Sequence, residues 1–216
     1  RLGAAVEHAR MSALFEDPRQ RAEIADPDHP GWDGVEAMLH STNGDRFWAS
    51  VSIARVHIGG HAKRLMVASD ISQQRQLTEL LTYQASHDAL TELYNRREFE
   101  RRVDRALAQV QAGGPACALF YIDLDQFKLI NDTSGHAAGD QLLSQLAVVM
   151  REQLRSGDVL ARLGGDEFGV LASDVHDESG ARLVAERLRQ HIDGYTFVWE
   201  QSSYGITASI GGVLLD

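Results

Sequence analysis

Leu163-Gly164-Gly165-Asp166-Glu167-Phe168 is the stretch of this sequence that decides the fold of its C-terminal part. Strand-like runs lie on both sides of it, at residues 158–162 and 168–172, and a Gly-Gly pair between two such runs predicts a tight β-hairpin. The turn carries two carboxylates and no bulky side chain at the glycines. A backbone can therefore approach a phosphorylated ligand there while the acids hold a metal ion. We expect a ligand site at this turn.

Two further blocks of sequence precede the hairpin. Residues 88–97 read DALTELYNRR, and residues 120–140 read FYIDLDQFKLINDTSGHAAGD. The three blocks, in this order, resemble the GGDEF domain of diguanylate cyclases, and the resemblance covers residues 88–216. It implies an α+β fold in which a central, mainly antiparallel sheet is flanked by helices, like the palm of nucleotide cyclases and polymerases.

The pattern of this region also predicts helices interleaved with strands, which is typical of α/β and α+β domains. We expect helices at residues 96–111, 139–154 and 178–191, and strands at residues 117–124, 159–163, 168–172, 195–200 and 204–214. A further helix is expected to begin near Lys128.

The bulk composition is that of an ordinary globular protein. The 216 residues, 44% hydrophobic and 24% charged, suffice for one large domain or two small ones. A net charge of −10 argues against nucleic-acid binding as the main function, although it leaves open a local basic patch. A single cysteine excludes an internal disulfide and fits a reducing compartment. No apolar run approaches roughly 20 residues and no signal peptide is visible, so we expect a cytoplasmic location, with any membrane anchor of the parent protein outside this segment.

Residues 1–70 are expected to form a separate domain. Residues 7–24 have helical composition with a break at Pro18, and strand-like runs follow at residues 34–40, 46–56 and 63–69. Asn43-Gly44 and Gly59-Gly60 supply the turns between these strands. Residues 43–48 and 67–72 resemble the C-terminal half of a PAS domain. The first strands of a complete PAS domain are either cut away or too diverged to read, and no haem or flavin signature is visible.

Residues 71–87 are predicted to form a helical linker between this partial PAS domain and the GGDEF domain of residues 88–216. The segment lacks Gly and Pro, and Leu77, Leu80 and Leu81 lie on one face at helical spacing. Two interpretations are open: a helix packed on its own domain, or a short parallel coiled coil that joins two chains in a homodimer. We favour the second, because two nucleotide-binding domains must meet for the reaction that the resemblance implies.

The resemblance implies that two GTP molecules are joined into cyclic di-GMP with release of pyrophosphate. Divalent magnesium or manganese held by carboxylates neutralises negative charge and helps the attacking hydroxyl to lose its proton. By resemblance, Asp123, the Leu124 carbonyl and Asp166 hold the metal ions. Asp166 also helps to activate the 3′ hydroxyl, and Glu167 supports it. Asp125 has two open roles, as a member of the site or as a cap of the following turn.

The resemblance also names residues for binding GTP. The backbone at the start of a helix suits a phosphate, and a lysine adds a point charge. Guanine presents two adjacent donors, N1–H and the 2-amino group, and the family reads this edge with the positions of Asn131 and Asp140. The substrate-binding residues implied in this way are Gln126, Phe127, Lys128, Asn131, His136, Asp140, Gly164 and Gly165.

A possible product site precedes the hairpin. Arg155 and Asp158 match the family's RxxD inhibitory site for cyclic di-GMP, with five residues between Asp158 and Gly164. An arginine can contact phosphate or guanine in a planar fork, and an aspartate can accept from the guanine edge. The alternative is a salt bridge at a helix end.

Two features of the C-terminal end leave other functions open. The family usually continues after its last strand with a helix whose basic residues contact the triphosphate, whereas this sequence ends at Leu215-Asp216. Residues 197–200 resemble GGDEF domains that precede an EAL phosphodiesterase domain. The alternative function is therefore a non-catalytic GGDEF domain that binds GTP or cyclic di-GMP and regulates an adjacent EAL domain, and a third is a pure dimerisation module.

Overall fold

The computed structural model describes residues 11–26, 28–41 and 43–216. It divides the chain into two compact units, residues 1–81 and 82–216. The finer division into residues 1–70, 71–87 and 88–216 stays a prediction. No helix among the described residues is long and apolar enough to cross a membrane.

The first unit is built on a three-stranded antiparallel sheet in the order β1-β2-β3. Its strands are β1 (Trp32–His40), β2 (Arg46–Ile58) and β3 (His61–Asp70). Along β2 the residues Phe47, Ala49, Val51 and Ile53 are buried and alternate with less buried ones, as the period of two predicts. They pack with Phe15 and Leu39 in a small core. This sheet fits a partial PAS-like fold.

The helical prediction for residues 7–24 is confirmed only in part, for residues 18–24 and the break at Pro18. Residues 7–10 lie outside the described residues. Residues Met11–Leu14 form a 3₁₀ helix, and α1 begins only at Pro18 and runs to Ala25. Pro18 starts the helix because its missing N–H and fixed φ suit the first turn, where the Asp17 carboxylate accepts a hydrogen bond from the Arg19 N–H (2.8 Å).

Helix α2 (Ser72–Ser86) lies where the linker was predicted. None of its residues is buried. Leu77, Leu80 and Leu81 are 55%, 52% and 56% exposed, so this apolar stripe is not packed into either core.

The second unit is a five-stranded sheet in the order β10-β5-β7-β6-β4, with a separate two-stranded hairpin. Only the short β4 pairs in parallel, so the sheet is mainly antiparallel, as predicted. Its elements are β4 (Tyr94–Asn95), α3 (Arg96–Gln111), β5 (Cys117–Asp125), α4 (Phe127–Ser134), α5 (His136–Glu152), β6 (Val159–Gly164), β7 (Glu167–Ser173), α6 (Glu178–Asp193), β8 (Thr196–Trp199), β9 (Ser202–Gly205) and β10 (Thr207–Leu215).

Helices cover both faces of this sheet. The larger core includes Leu142, Leu146 and Leu188 from α5 and α6 together with Ile122 and Phe168 from the central strands. The smaller core lies on the other face. It contains Phe99 of α3, Cys117, Val159, Ala161 and Leu171. The two cores hold β5 and β7 rigidly at the centre of the sheet, where the acidic residues of the hairpin are attached.

One predicted strand is divided in two. Residues 204–214 were expected to be continuous, but β9 pairs with β8 whereas β10 pairs with β5. The buried Ile206 lies where the chain passes from one sheet to the other. Alternation along a strand predicts which side chains are buried but says nothing of the strand's partner, so the sequence did not reveal this break.

Candidate active site

The Gly-Gly pair forms the turn that the sequence predicts. Gly164 pairs with Glu167, so Gly165 and Asp166 occupy the turn between β6 and β7. The φ angles of Gly164 (+143°) and Gly165 (+54°) are positive, and glycine adopts such values without steric cost. A Cβ on either residue would meet no atom within 4 Å, so the space above the turn is open. Backbone conformation, rather than crowding, explains the two glycines.

An arginine that the sequence did not single out anchors this turn. Arg162 donates two hydrogen bonds to the Gly165 carbonyl oxygen, from Nε (3.0 Å) and Nη2 (2.9 Å). Its third nitrogen, Nη1, pairs with the Asp88 carboxylate at 3.2 Å. Because only 14% of the Arg162 side chain and 25% of the Asp88 side chain are exposed, this connection is well shielded from water.

The predicted acidic residues meet beside the turn. Asp123 on β5 lies directly opposite Glu167 on β7. The Leu124 N–H donates to the carbonyl oxygen of Asp166 (3.3 Å), which places the turn against the end of β5. Partial burial, followed by the charges of Asp166, Glu167 and Asp125, raises the pKa of Asp123 above its ordinary value. The fold thus holds like charges close together, which costs stability unless a cation is present.

Glu167 is held by two groups. Arg96 Nη2 lies 3.2 Å from Glu167 Oε2, and Arg96 Nε donates to the Leu163 carbonyl oxygen (2.8 Å). A hydrogen bond with Glu167 raises the pKa of the Tyr121 hydroxyl. The sequence analysis missed Tyr121. The period of two along β5, which places Tyr121 and Asp123 on the same face, could have found it.

Asp125 has a structural contact instead of a cap. Its carboxylate accepts from Thr207 Oγ1 (2.6 Å) and Ser209 Oγ (2.8 Å) on β10. These bonds, that of Thr207 first, lower the pKa of Asp125. The N-cap of α4 is Gln126, which has a left-handed backbone (φ +60°) and no side-chain cap bond. The interpretation of Asp125 as a cap is therefore wrong, because its side chain joins two strands.

The predicted phosphate-binding segment lies at the start of α4. Gln126 precedes the helix, and Phe127 and Lys128 form its first turn. Phe127 is buried in the larger core, whereas the Lys128 side chain is exposed. The arrangement leaves a charged side chain in solvent while the ring fixes the helix to the sheet.

The predicted guanine-reading residues lie on neighbouring helices. Asn131 is on α4, and Asp140 lies in the first part of α5 together with His136. Asp140 and His136 are exposed. The Asn131 Oδ1 atom is buried and has no hydrogen-bond partner. An unpaired buried acceptor costs free energy, so it is the kind of group that a ligand donor or a water satisfies.

Gly139 determines where the Asn131 side chain can lie. A Cβ at Gly139 would come 2.1 Å from Asn131 Oδ1 and 3.0 Å from Phe127 Cζ. Non-bonded atoms do not approach to 2.1 Å, so any side chain at residue 139 must displace Asn131. Glycine is needed here for close approach, since its φ is that of an ordinary helix.

If Asn131 reads the guanine edge, as the resemblance implies, replacing Gly139 by alanine is expected to weaken GTP binding by about tenfold or more, because the displaced Asn131 amide can no longer reach the base. Calorimetric titration with a non-hydrolysable GTP analogue measures this. Alanine at the exposed Gln141 is the control, because this residue lies on the same helix. Unchanged affinity in Gly139→Ala would contradict the role of Asn131 in binding.

Asp158 shapes the turn before β6. Its Oδ2 accepts from the Arg155 N–H (2.9 Å), and its Oδ1 accepts from the Ser173 N–H (2.9 Å). Asp158 therefore contacts the backbone N–H of Arg155 and not its guanidinium group. This hydrogen bond takes the place of the salt bridge that was considered as the alternative. Each carboxylate oxygen keeps a second lone pair, so Asp158 can still accept from a ligand.

Arg187 on α6 joins this region in space. It lines, together with Arg155 and Asp158, a cavity of about 370 Å³. Its Nε is buried and has no hydrogen-bond partner. Sequence reasoning missed Arg187 because it follows in a different helix and no local pattern distinguishes it from the other arginines of α6.

The donor set predicted at the hairpin has the chemistry that a hard divalent cation requires. Two carboxylates and one carbonyl oxygen, those of Asp123, Asp166 and Leu124, are the oxygen ligands that magnesium and manganese prefer. Within residues 11–26, 28–41 and 43–216, no group of three or more His, Cys, Asp or Glu side chains is arranged to hold a metal ion. The predicted set does not require one, since a backbone carbonyl is its third member.

Comparison with known proteins identifies the family. The family model described as diguanylate cyclase, GGDEF domain, matches residues 85–216. The chain belongs to this family. The Gly164–Phe168 run lies within the matched residues.

Individual relatives agree with this result. The chain is 43% identical over 183 residues to the probable diguanylate cyclase DgcE of Escherichia coli (strain K12), which covers 84% of this chain and 16% of DgcE. It is 39% identical over 128 residues to the cyclic di-GMP phosphodiesterase PdeB of Shewanella oneidensis, covering 59% of this chain and 14% of PdeB. The chain thus spans a small part of these relatives.

A solved structure supports the fold. The coiled coil and GGDEF domain of DgcB from Caulobacter crescentus, in complex with c-di-GMP, matches with a TM-score of 0.62 and 29% identity. The match covers 67% of this chain and 76% of that one.

Proposed function

We propose that the protein is a diguanylate cyclase that condenses two GTP molecules into one cyclic di-GMP and two pyrophosphates. The observation that carries the proposal is the meeting of Asp123, Asp166 and Glu167 at an open Gly-Gly turn. Membership of the GGDEF family supports it. In each of two equivalent steps, a ribose 3′ oxygen bonds to the α-phosphorus of the other GTP, and the bond to the pyrophosphate leaving group breaks.

The acids have distinct tasks in this proposal. Asp123, the Leu124 carbonyl and Asp166 hold a divalent cation, Mg²⁺ or Mn²⁺. When bound, such a cation neutralises phosphate charge and favours loss of the hydroxyl proton. Asp166 helps to activate the 3′ hydroxyl by accepting its proton. Glu167, fixed by Arg96, keeps the turn and its charge in place.

GTP binding is assigned to the surrounding loops. Gln126, Phe127 and Lys128 at the start of α4, with the Gly164-Gly165 turn, receive the phosphates. Asn131 and Asp140 accept from the guanine edge, and His136 lies near the substrate. The unpaired Asn131 Oδ1 supports this assignment, since guanine supplies donors and adenine has an acceptor at N1.

Activity in this proposal requires a homodimer. One GGDEF domain binds one GTP, so two domains must face each other before either hydroxyl can attack. The exposed Leu77, Leu80 and Leu81 are the surface through which α2 pairs, together with the PAS-like sheet. The functional division is a partial PAS sensor domain at 1–70, a signalling helix at 71–87 and the cyclase at 88–216. The proposal also places the protein in the cytoplasm and assigns it no nucleic-acid partner.

Pyrophosphate release from GTP and Mg²⁺ tests the proposal. We expect Leu80→Glu to lower the rate by about tenfold or more at dilute protein, because a buried unpaired charge would weaken the helix pairing. Val148→Glu on α5 is the control, since both side chains are 52% exposed. Release that is independent of protein concentration and equal in both variants would contradict the dimer. Release is the readout of choice because a downstream phosphodiesterase cannot remove pyrophosphate.

The second candidate is a non-catalytic GGDEF domain that regulates an adjacent EAL domain. The similarity to the phosphodiesterase PdeB favours it. GTP binding without pyrophosphate release would select this function. In either case Arg155 and Asp158, with Arg187, form the proposed site for cyclic di-GMP, through which the product feeds back on the protein.

A further inference from the structure

A second cavity shares Arg155 and Asp158 with the first and reaches Tyr83 near the end of α2. Its volume is about 480 Å³. Among the residues that line it are Tyr83, His87, Tyr94, Arg151, Arg155 and Asp158. All of them belong to the second unit, residues 82–216. The proposed product site therefore borders directly on the last turn of the linker helix.

Aromatic rings form one wall of this cavity. Tyr83 and His87 are stacked nearly parallel, with centroids 4.0 Å apart and an interplanar angle of 9°. His87 in turn contacts Tyr94 (4.8 Å), and the Arg102 guanidinium lies 4.0 Å over the Tyr94 ring. One face of Tyr83 is covered by His87, and yet Tyr83 remains 47% exposed. A broad aromatic surface is thus left for a ligand.

Hydrogen bonds fix this wall in place. Asn95 Nδ2 donates to the carbonyl oxygens of Ala85 (3.0 Å) and His87 (3.4 Å), while Asn95 Oδ1 accepts from the Glu98 N–H (3.0 Å) at the start of α3. The same amide thereby ends α2 and begins α3. The ring stack needs little further ordering when a ligand arrives, which favours affinity.

The charges of the cavity suit a phosphorylated ligand. Arg151 and Arg155 supply two guanidinium groups in a chain whose net charge is −10. Asp158 also lines this cavity, and its carboxylate already accepts hydrogen bonds from two backbone N–H groups. Guanidinium groups beside a stacked aromatic pair are the combination that binds a phosphate and a planar base together.

We propose that Tyr83, supported by His87, stacks on a guanine of cyclic di-GMP bound at Arg155 and Asp158, with Arg151 facing the dinucleotide phosphate. The inference rests on the proposed product site and extends it to the linker helix. The bound product then makes direct contact with the last turn of α2, the helix proposed to pair in the homodimer.

Titration of the whole chain with cyclic di-GMP tests this. Base stacking on an aromatic ring is worth enough that Tyr83→Leu is expected to weaken binding by about tenfold, whereas Tyr83→Phe keeps the ring and is expected to bind normally. Affinity for a non-hydrolysable GTP analogue is the internal control, because Tyr83 lies outside the GTP site. Thermal unfolding of both variants checks that the fold is retained.

Three outcomes distinguish the stacking of Tyr83 on guanine from the product site on which this inference rests. Stacking is supported if Tyr83→Leu binds cyclic di-GMP more weakly while Tyr83→Phe binds it normally. The affinity of both variants for the GTP analogue must stay unchanged. If Arg155→Ala loses binding while Tyr83→Leu does not, the stacking wall is overturned and the product site stands. Normal binding in Arg155→Ala overturns the product site and this inference with it.

Discussion

Replacing Asp123 by alanine is expected to abolish pyrophosphate release from GTP, with a loss of at least about 1,000-fold. The carboxylate is the group on β5 that the fold brings opposite Glu167 and beside Asp166. Removing a ligand of a catalytic cation forfeits several kcal/mol of charge stabilisation in the transition state, which corresponds to this factor. Initial rates of pyrophosphate release at saturating GTP and Mg²⁺ measure the effect.

The matched control is Asp132→Ala, which removes an exposed carboxylate from α4 and is expected to keep activity. Near-normal release in Asp123→Ala would contradict the metal assignment. A loss in both variants would instead point to a general electrostatic effect on GTP binding, since each change adds one positive unit to the net charge.

Asp123 also has a signature in stability. Its pKa is raised in the folded state by burial and by Asp166, Glu167 and Asp125. A raised pKa means that protonation favours the fold, so the contribution of this group is present at low pH and is lost as the pH rises through the folded-state value. At neutral pH the ionised group is therefore destabilising. Asp123→Asn is accordingly expected to raise the melting temperature in the absence of metal while it removes activity. A lower melting temperature would show that repulsion among these carboxylates does not destabilise the fold.

Replacing Arg162 by alanine is expected to lower the free energy of unfolding by about 2–4 kcal/mol and the turnover by about tenfold. In this variant the Asp88 carboxylate loses its guanidinium partner. The Gly165 carbonyl oxygen loses both hydrogen bonds that Arg162 donates. The neighbouring Asp166 then loses its fixed position. Denaturant unfolding measures the first effect, and pyrophosphate release measures the second.

The pH dependence of this variant follows from Asp88. Burial by itself would raise the pKa of Asp88, but hydrogen bonds from the Thr91 N–H and hydroxyl, with the charge of Arg162, hold it below its ordinary value. A depressed pKa contributes stability above the unfolded-state value of 3.8, and this is lost as the pH falls through the folded-state value. We expect the difference between wild type and Arg162→Ala to be larger at pH 7 than below pH 3.

Arg189→Ala provides the comparison for Arg162. Arg189 also pairs with a carboxylate, since its Nε and Nη2 donate to Glu186, but its side chain is 43% exposed. Because water screens such surface pairs, no measurable loss of stability is expected. Equal losses of unfolding free energy in Arg162→Ala and Arg189→Ala would show that shielding from water does not strengthen the contacts of Arg162. Arg162→Lys tests geometry, since a single ammonium cannot reproduce the guanidinium fork.

The short range of sequence signals explains which parts of the site were predictable. Asp123 and the Gly164–Glu167 turn each lie within a recognisable block, and the structure brings them together as expected. Arg162 and Arg187 occupy positions that carry no pattern of their own. Arg162 pairs with Asp88, 74 positions away, and Arg187 meets Arg155 and Asp158 from a different helix. These contacts arise only when the domain has folded.

Asp125 illustrates the same limit in the opposite direction. Its place before α4 suggests a helix cap, but its carboxylate bonds Thr207 and Ser209, more than 80 positions further along the chain. A sequence reveals neighbours along the chain, and a cap is a local interaction. A side chain that joins two strands depends on sheet order, which no local pattern encodes.

By itself the sequence determined the hairpin, because only glycine adopts the positive φ of residues 164 and 165 without strain, and it determined the buried alternation of β2 and the limits of α3. The tertiary structure alone decided the sheet order β10-β5-β7-β6-β4 and the division of the last predicted strand at Ile206. It also decided the stack of Tyr83, His87 and Tyr94. The physical reason is that backbone preferences act within a few residues, whereas strand pairing and ring stacking are chosen by the packing of a whole core.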